Sequence, residues 1–217
     1  SIKNDFNDHF KKLNFHKIEN GIKELAKIDT NEHIQNELDQ LKYNNETRIA
    51  IVVGKVVPVK NYKLLIESFN KLKNENIICI VIGNTTSISI DYFNEINKKN
   101  SGNVHFLGLK SNVNDYLNLS DVFLMTSLNE GLPISALEAL SIGKPIITTP
   151  AGGMVDLIQE KENGFITSGF ESDEYSETIL KYLNIDNKEV ENIRNNNHNK
   201  FMNNYTIAIS CKNYYNL

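Results

Sequence analysis

Two glutamates eight positions apart, Glu130 and Glu138, bracket a run in which Gly131, Leu132 and Pro133 lead into Ile134-Ser135-Ala136-Leu137. Proline suits the first helical position because its ring fixes φ and its missing N–H leaves nothing unsatisfied there. Gly143 followed by Lys144-Pro145 is a stop signal, so the spacing predicts a helix over 133–142. No Ser, Thr, Asp or Asn stands immediately before Pro133, which leaves the first amides and the positive end of the helix dipole without a side-chain partner. Such an end favours an anion, phosphate above all. Within the helix Ile134, Ala136, Leu137, Ala139, Leu140 and Ile142 point nearly all round, as in a buried helix, and Glu138 is its only charge. A carboxylate there is costly unless a polar group meets it. Glu130 stands just outside the helix, so two carboxylates flank a phosphate site at different depths, and glycosidic chemistry often uses carboxylates around a sugar. An isolated pair at this spacing reads more readily as one solvated loop acid and one satisfied structural acid. The glycine, the proline and the apolar helix raise the functional reading.

The elements that must hold these groups follow from periodicity. From residue 48 apolar runs alternate with helical patterns: strands are predicted at 49–53, 77–82, 103–107, 121–126 and 145–149, with a last short one at Asn163-Gly164-Phe165-Ile166. Helices are predicted near 62–73, 90–99, 113–119 and 133–142, then 172–184, 187–203 and 206–215. Strand and helix in strict alternation mean an α/β fold with a doubly wound parallel sheet, whose ligands bind outside the carboxyl ends of the strands near the reversal of strand order. The loops at those ends are the places to search. After the first strand comes Gly54-Lys55-Val56-Val57-Pro58-Val59-Lys60-Asn61, which is neither a P-loop nor G-x-G-x-x-G. Lys55 and Lys60 could neutralise a diphosphate, although alone they read more readily as two more lysines on a lysine-rich surface. After the third strand Leu107-Gly108-Leu109 could sandwich a nucleobase, although apolar strand ends usually just pack. Gly152-Gly153 reads as a tight turn.

Composition narrows the classes. The 217 residues, 40% of them hydrophobic, suffice for one large or two small domains with a real core. A net charge of −4 and the lack of a basic block interleaved with aromatics argue against nucleic acid as a partner. Cys79 lies in an apolar run and Cys211 in a terminal helix, so both read as inert packing thiols rather than a disulfide or zinc site. No signal peptide or run of about 20 apolar residues is apparent, which predicts a cytoplasmic location. Residues 1–45 are polar and lysine-rich; Phe6, Phe10, Leu13 and Phe15 are spaced loosely like a short helix, and Ile34, Leu38 and Leu41 predict a helix near 31–42 leading into the main fold. That segment has the look of a linker.

Five motifs in order carry a resemblance: Val53-Gly54-Lys55 with Pro58, Lys60-Asn61-Tyr62-Lys63-Leu64-Leu65-Ile66; Val104-His105-Phe106-Leu107-Gly108; Ser120-Asp121-Val122-Phe123; Glu130 to Glu138; and Gly143-Lys144-Pro145-Ile146-Ile147. The run from Ile49 to about Ile166 closely resembles the donor-binding half of the retaining glycosyltransferases of family 4, also called group 1. The resemblance implies a Rossmann-like sheet forming the C-terminal half of a GT-B fold. It implies that Lys55 and Lys60 bind the donor diphosphate, that Glu130 contacts the donor sugar and Glu138 the ribose, and that the amides of Gly131, Leu132 and Ile134 face the sugar and phosphate. With Gly54, Leu107, Gly108 and Pro133 these make the candidate site, in which Glu130, Lys55 and Lys60 carry the catalysis.

Departures from the family pattern are Lys55, where arginine is common, Val59 and Asn61, where an acid and a glycine are common, and Val155-Asp156 after the glycine pair. Lysine keeps the charge but not the bidentate fork. The resemblance further implies no metal and no cofactor beyond a UDP- or GDP-linked sugar, with transfer of a hexosyl group to a glycan or lipid-linked acceptor in surface polysaccharide synthesis, at the inner face of the membrane. It divides the chain into the end of an N-terminal domain with the interdomain linker (1–46), the nucleotide-sugar domain (47–200) and a returning helix (201–217), with Phe15-His16-Lys17-Ile18-Glu19-Asn20-Gly21-Ile22 as the crossover, the first half of the enzyme lying outside this chain. Two other readings compete. A non-catalytic, glycosyltransferase-like binding or scaffold module would have no need of Lys55, Lys60, Glu130 and Glu138 together. A flavodoxin-like or response-regulator domain would place an acidic cluster where Gly54 and Lys55 stand.

Overall fold

The computed structural model describes residues 18–25 and 31–215; the helical pattern read at Phe6 to Phe15 and the start of the crossover at Phe15-His16-Lys17 lie outside them. Six strands, β1 (Arg48–Val53), β2 (Ile77–Ile82), β3 (Val104–Gly108), β4 (Val122–Met125), β5 (Ile146–Thr148) and β6 (Gly164–Ile166), form one sheet in the order β3-β2-β1-β4-β5-β6. Every pairing is parallel. The helices are α1 (Glu32–Asp39), α2 (Tyr62–Lys71), α3 (Ile90–Asn97), α4 (Val113–Leu119), α5 (Ile134–Ser141), α6 (Met154–Leu157), α7 (Ser172–Leu183), α8 (Asn187–Asn204) and α9 (Ile207–Tyr215). The chain winds outward from β1 through β2 to β3, then returns to place β4 on the other side of β1, so the order reverses between β1 and β4.

Both faces of the sheet are covered, which is why its strands read as continuous apolar runs rather than alternating ones. Ile49 and Ile51 of β1 enter a core built with α1, α4 and α5, while Ala50 and Val52 enter another built with α2 and α7. All six residues of β2 are buried. Each large side chain removed from water in this way stabilises the fold by about 1.5–3 kcal/mol. The linker-like helix α1 sets Ile34 and Leu38 into the first core, beside Tyr116 and Leu117 of α4. Cys79 packs in β2, where burial pushes its thiol pKa up, but Cys211 stands exposed on α9 and is no packing thiol.

Several motif residues serve the scaffold. Asp121 accepts a hydrogen bond from the Ile49 amide at 2.7 Å and pairs with Arg48 at 3.1 Å, fastening β4 to β1. Gly143 has φ +73, and a Cβ there would lie 2.7 Å from the Arg194 carbonyl oxygen. Lys144 is buried and its ammonium donates to the Ser120 and Asn118 carbonyls at the end of α4. Those orphan carbonyls and the negative end of the α4 dipole explain why a lysine is tolerated inside. None of the residues of α9 is buried, and Tyr214 and Tyr215 stand in solvent. Among the described residues no helix is long and apolar enough to cross a membrane.

Candidate functional site

The loop after β1 is built to bring backbone close to backbone. The Gly54 amide donates to Ile82 at 2.9 Å, and the Tyr62 hydroxyl donates to the Gly54 carbonyl at 2.8 Å. A side chain at Gly83 would place Cβ 1.9 Å from that carbonyl oxygen, so only glycine permits this approach. A 3-10 turn, Pro58–Lys60, follows. Asn61 then takes the left-handed conformation, φ 51 and ψ 47, while its side chain accepts from the Leu64 amide and caps α2. A residue with positive φ that must also cap a helix suits asparagine, which explains its presence where the family commonly has glycine.

The turn is pinned to the loop after β4: the Thr126 hydroxyl donates to the Lys60 carbonyl at 2.9 Å and the Leu128 amide to the Val59 carbonyl at 2.8 Å. Lys60 thereby reaches across the reversal of strand order. Its ammonium lies 2.5 Å from Glu130 Oε1, and the Ser127 hydroxyl donates to the same oxygen at 2.6 Å. The two loops that diverge from β1 and β4 are thus joined by one ion pair. Lys55 is exposed and forms no ion pair among the described residues.

Glu130 is held from the far side as well. Gly153 donates its amide to the Glu130 carbonyl at 3.0 Å, and a Cβ on Gly152 or Gly153 would lie 2.0 Å from the Glu130 or 1.9 Å from the Gly131 carbonyl oxygen. The pair reads from sequence as a tight turn; the structure shows that turn, with Gly152 at φ +53, and adds a close approach that seats the Glu130 loop before α6, a helix of four residues too short to leave a periodic signal.

Pro133 is not the first helical residue but the cap itself, with ψ 130, and α5 starts at Ile134 without a side-chain cap. The amides of Gly131, Leu132, Ile134 and Ser135 find no acceptor among the described residues. Ile134, read as part of an all-round apolar helix, is 47% exposed at this open end, because the first turn projects from the core. Glu138 lies one turn further along α5, half-buried, with no hydrogen bond or ion pair among the described residues, and burial raises its pKa. Leu107 and Gly108 end β3 at the same carboxyl edge but two strands away from β1; Leu107 packs on the core and the Gly108 carbonyl accepts from Gly83 at 2.9 Å. The structure therefore brings Gly54, Lys60, Glu130 and the open amides of α5 to the reversal, sets Glu138 beside them on the same helix, and leaves Leu107-Gly108 at the flank. An open cleft of about 810 Å³ lined by Phe165, Lys181 and Glu189 lies toward the opposite end of the strands.

Sequence reasoning gave no role to Ser127 or Thr149, and quoted Tyr62 only as part of a motif. Ser127 has a local signal, a hydroxyl three positions before Glu130 where a strand passes into a loop. Tyr62 acts back on Gly54 at the start of its own loop, eight residues earlier, and Thr149 acts across neighbouring strands; neither contact leaves a local signal.

Residues 33–200 match the family described as glycosyl transferases group 1, and the chain belongs to that family. It is 28% identical over 158 residues to the N,N'-diacetylbacillosaminyl-diphospho-undecaprenol alpha-1,3-N-acetylgalactosaminyltransferase of Campylobacter jejuni, covering 70% of this chain and 40% of that protein. To the capsular polysaccharide biosynthesis glycosyltransferase CapM of Staphylococcus aureus it is 29% identical over 171 residues, 77% of this chain and 45% of that one. The chain thus spans less than half the length of these relatives. Among solved structures, Anabaena Alr3699/HepE in complex with UDP and glucose superposes with a TM-score of 0.81 at 21% identity, over 92% of this chain and 55% of that chain. The C-terminal domain of a glycosyl transferase group 1 family protein (LpcC) from Francisella tularensis does so with a TM-score of 0.72 at 22% identity, over 86% of this chain and 100% of that chain. The fold is the doubly wound, Rossmann-like sheet of GT-B glycosyltransferases.

Proposed function

We propose that this chain is the donor-binding part of a retaining hexosyltransferase. The Lys60–Glu130 pair at the reversal of strand order, beside an uncapped helix end, carries the reading. A nucleoside diphosphate-sugar, linked to UDP or GDP, sets its phosphates against the free amides of α5, Lys55 and Lys60. Its ribose hydroxyls donate to Glu138, whose carboxylate has no hydrogen bond or ion pair among the described residues. Glu130 faces the sugar. As the bond to the diphosphate lengthens, negative charge grows on the leaving oxygens and positive charge on the anomeric carbon. The lysines and oriented amides meet the first and Glu130 lies beside the second, so the site favours the transition state over the bound substrate without calling on a metal or a further cofactor.

The acceptor in this reading is a glycan or lipid-linked sugar of a surface polysaccharide, met at the inner face of the membrane by an N-terminal domain outside this chain. The names of the Campylobacter and Staphylococcus relatives support that class of acceptor, and the UDP and glucose bound by the Anabaena protein support that class of donor. Calorimetric titration of UDP, GDP, ADP and their sugar conjugates tests the reading. One nucleoside diphosphate is expected to bind, and Lys60→Ala to weaken it by about 1–3 kcal/mol, the range for a charge-assisted contact. Unchanged binding in that variant would make Lys60 a mere surface lysine.

A further inference from the structure

We propose that Ser127 is a positioning residue for Glu130, setting which carboxylate oxygen faces the donor sugar; the inference rests on the role given to Glu130 above. Ser127 lies two residues beyond β4, 1% exposed, and its hydroxyl donates to Glu130 Oε1 at 2.6 Å. The same oxygen receives the Lys60 ammonium at 2.5 Å, whereas Oε2 takes no hydrogen bond among the described residues. A carboxylate with both donors on one oxygen presents the other, lone pairs free, to whatever enters the site.

Ser127 is itself fixed from the neighbouring strand. Its carbonyl accepts from the Thr149 hydroxyl at 2.6 Å, and the Thr149 amide donates to Met125 at 3.0 Å. The two donors on Oε1 differ in what they do when an anion arrives. Lys60 is a charge on a flexible four-carbon stem, and the diphosphate competes for it. The Ser127 hydroxyl is short, buried and neutral, with nothing to draw it away. It keeps Oε1 engaged as the ammonium turns toward phosphate, so that Glu130 neither follows Lys60 nor rotates its free oxygen out of the site.

The test titrates UDP-glucose, UDP-N-acetylglucosamine and GDP-mannose, with UDP and GDP, against the 217-residue chain and the variants Ser127→Ala, Ser127→Thr, Glu130→Gln and the Ser127→Ala/Glu130→Gln double. Ser127→Ala is expected to cut the preference for nucleotide-sugar over the matching diphosphate by about 10- to 100-fold, the scale of one hydrogen bond to a charged group, with diphosphate affinity held within about twofold. Ser127→Thr restores the preference by returning the hydroxyl, and Ser127→Ala adds nothing once Glu130 is Gln. Should the extra methyl of threonine lower the melting temperature, the double-mutant cycle decides alone. A preference that survives Ser127→Ala, a parallel loss for sugar-linked and free diphosphates, or additive effects with Glu130→Gln overturns the proposal while leaving the donor site standing. A wild-type chain that binds diphosphates with no regard to their sugars overturns the role of Glu130 and this proposal together. Failure to bind any of the five ligands overturns the donor-site reading itself.

Discussion

Glu138 is under two opposed demands. Burial raises its pKa, so the fold favours the protonated form over the charged one. The sign follows directly: relative to the unfolded chain, its contribution is most favourable below the ordinary glutamate value of about 4.3 and is lost as pH rises through the raised value of the fold. Glu138→Gln is therefore expected to raise the melting temperature of the free protein at pH 7, with the gain vanishing below about pH 4, as thermal melts across that range would record. The same substitution removes a full carboxylate acceptor and should weaken diphosphate and nucleotide-sugar alike by about 1–3 kcal/mol. Glu130→Gln should instead erode mainly the preference for the sugar-linked form. A Glu138→Gln variant that melts higher yet binds both ligands as before would reduce Glu138 to a structural acid. Its tension was legible in the sequence, as the one charge in an apolar helix. The bond between Lys60 and Glu130 was not, since residues 70 positions apart meet only once the strand order is fixed.

At the scale of elements, Asn61 joins the loop after β1 to α2 and does so in a backbone conformation that most side chains resist. Asn61→Ala loses both the cap and the tolerance of positive φ, and is expected to destabilise the chain by about 1–2 kcal/mol. Asn61→Gly loses only the cap and should cost a few tenths of that unit. Chemical denaturation of both variants checks the ordering; equal losses would show that the left-handed conformation is not the constraint. The strands were readable as continuous apolar runs, and the longer helices because each repeats its period of about 3.6 residues. The 3-10 turn at Pro58–Lys60 and the four residues of α6 were not, being about a single turn each and so never repeating their period, and Pro133 was misplaced by one position because proline is compatible with both the cap and the first turn. The glycine pair at 152–153 carried no sign of its partner for a different reason: close approach is a property of two loops, and only one of them contains the glycines.

The molecule as a whole carries a net charge of −4, so attraction of an anion must be a local affair at the reversal of strand order. What the anion meets there is unequal. In the proposed donor site Lys55 stands exposed, with no ion pair among the described residues, and offers a fresh cation, whereas Lys60 is already engaged with Glu130 and would exchange one oxyanion for another. The expected result is a division of labour visible in titrations between about 50 and 300 mM salt: Lys55→Ala flattens the dependence of diphosphate affinity on ionic strength, while Lys60→Ala lowers the affinity but leaves most of the slope. Equal flattening by both would mean that the pair opens before the ligand arrives. The site then behaves as a small ion exchanger, stored with its counterion in place. In the proposed reading an empty exchanger of this kind holds its lysine off adventitious anions; Glu130 Oε2 already faces the site, and a diphosphate that takes the cation strips the carboxylate of its counter-charge in the same event that delivers the sugar.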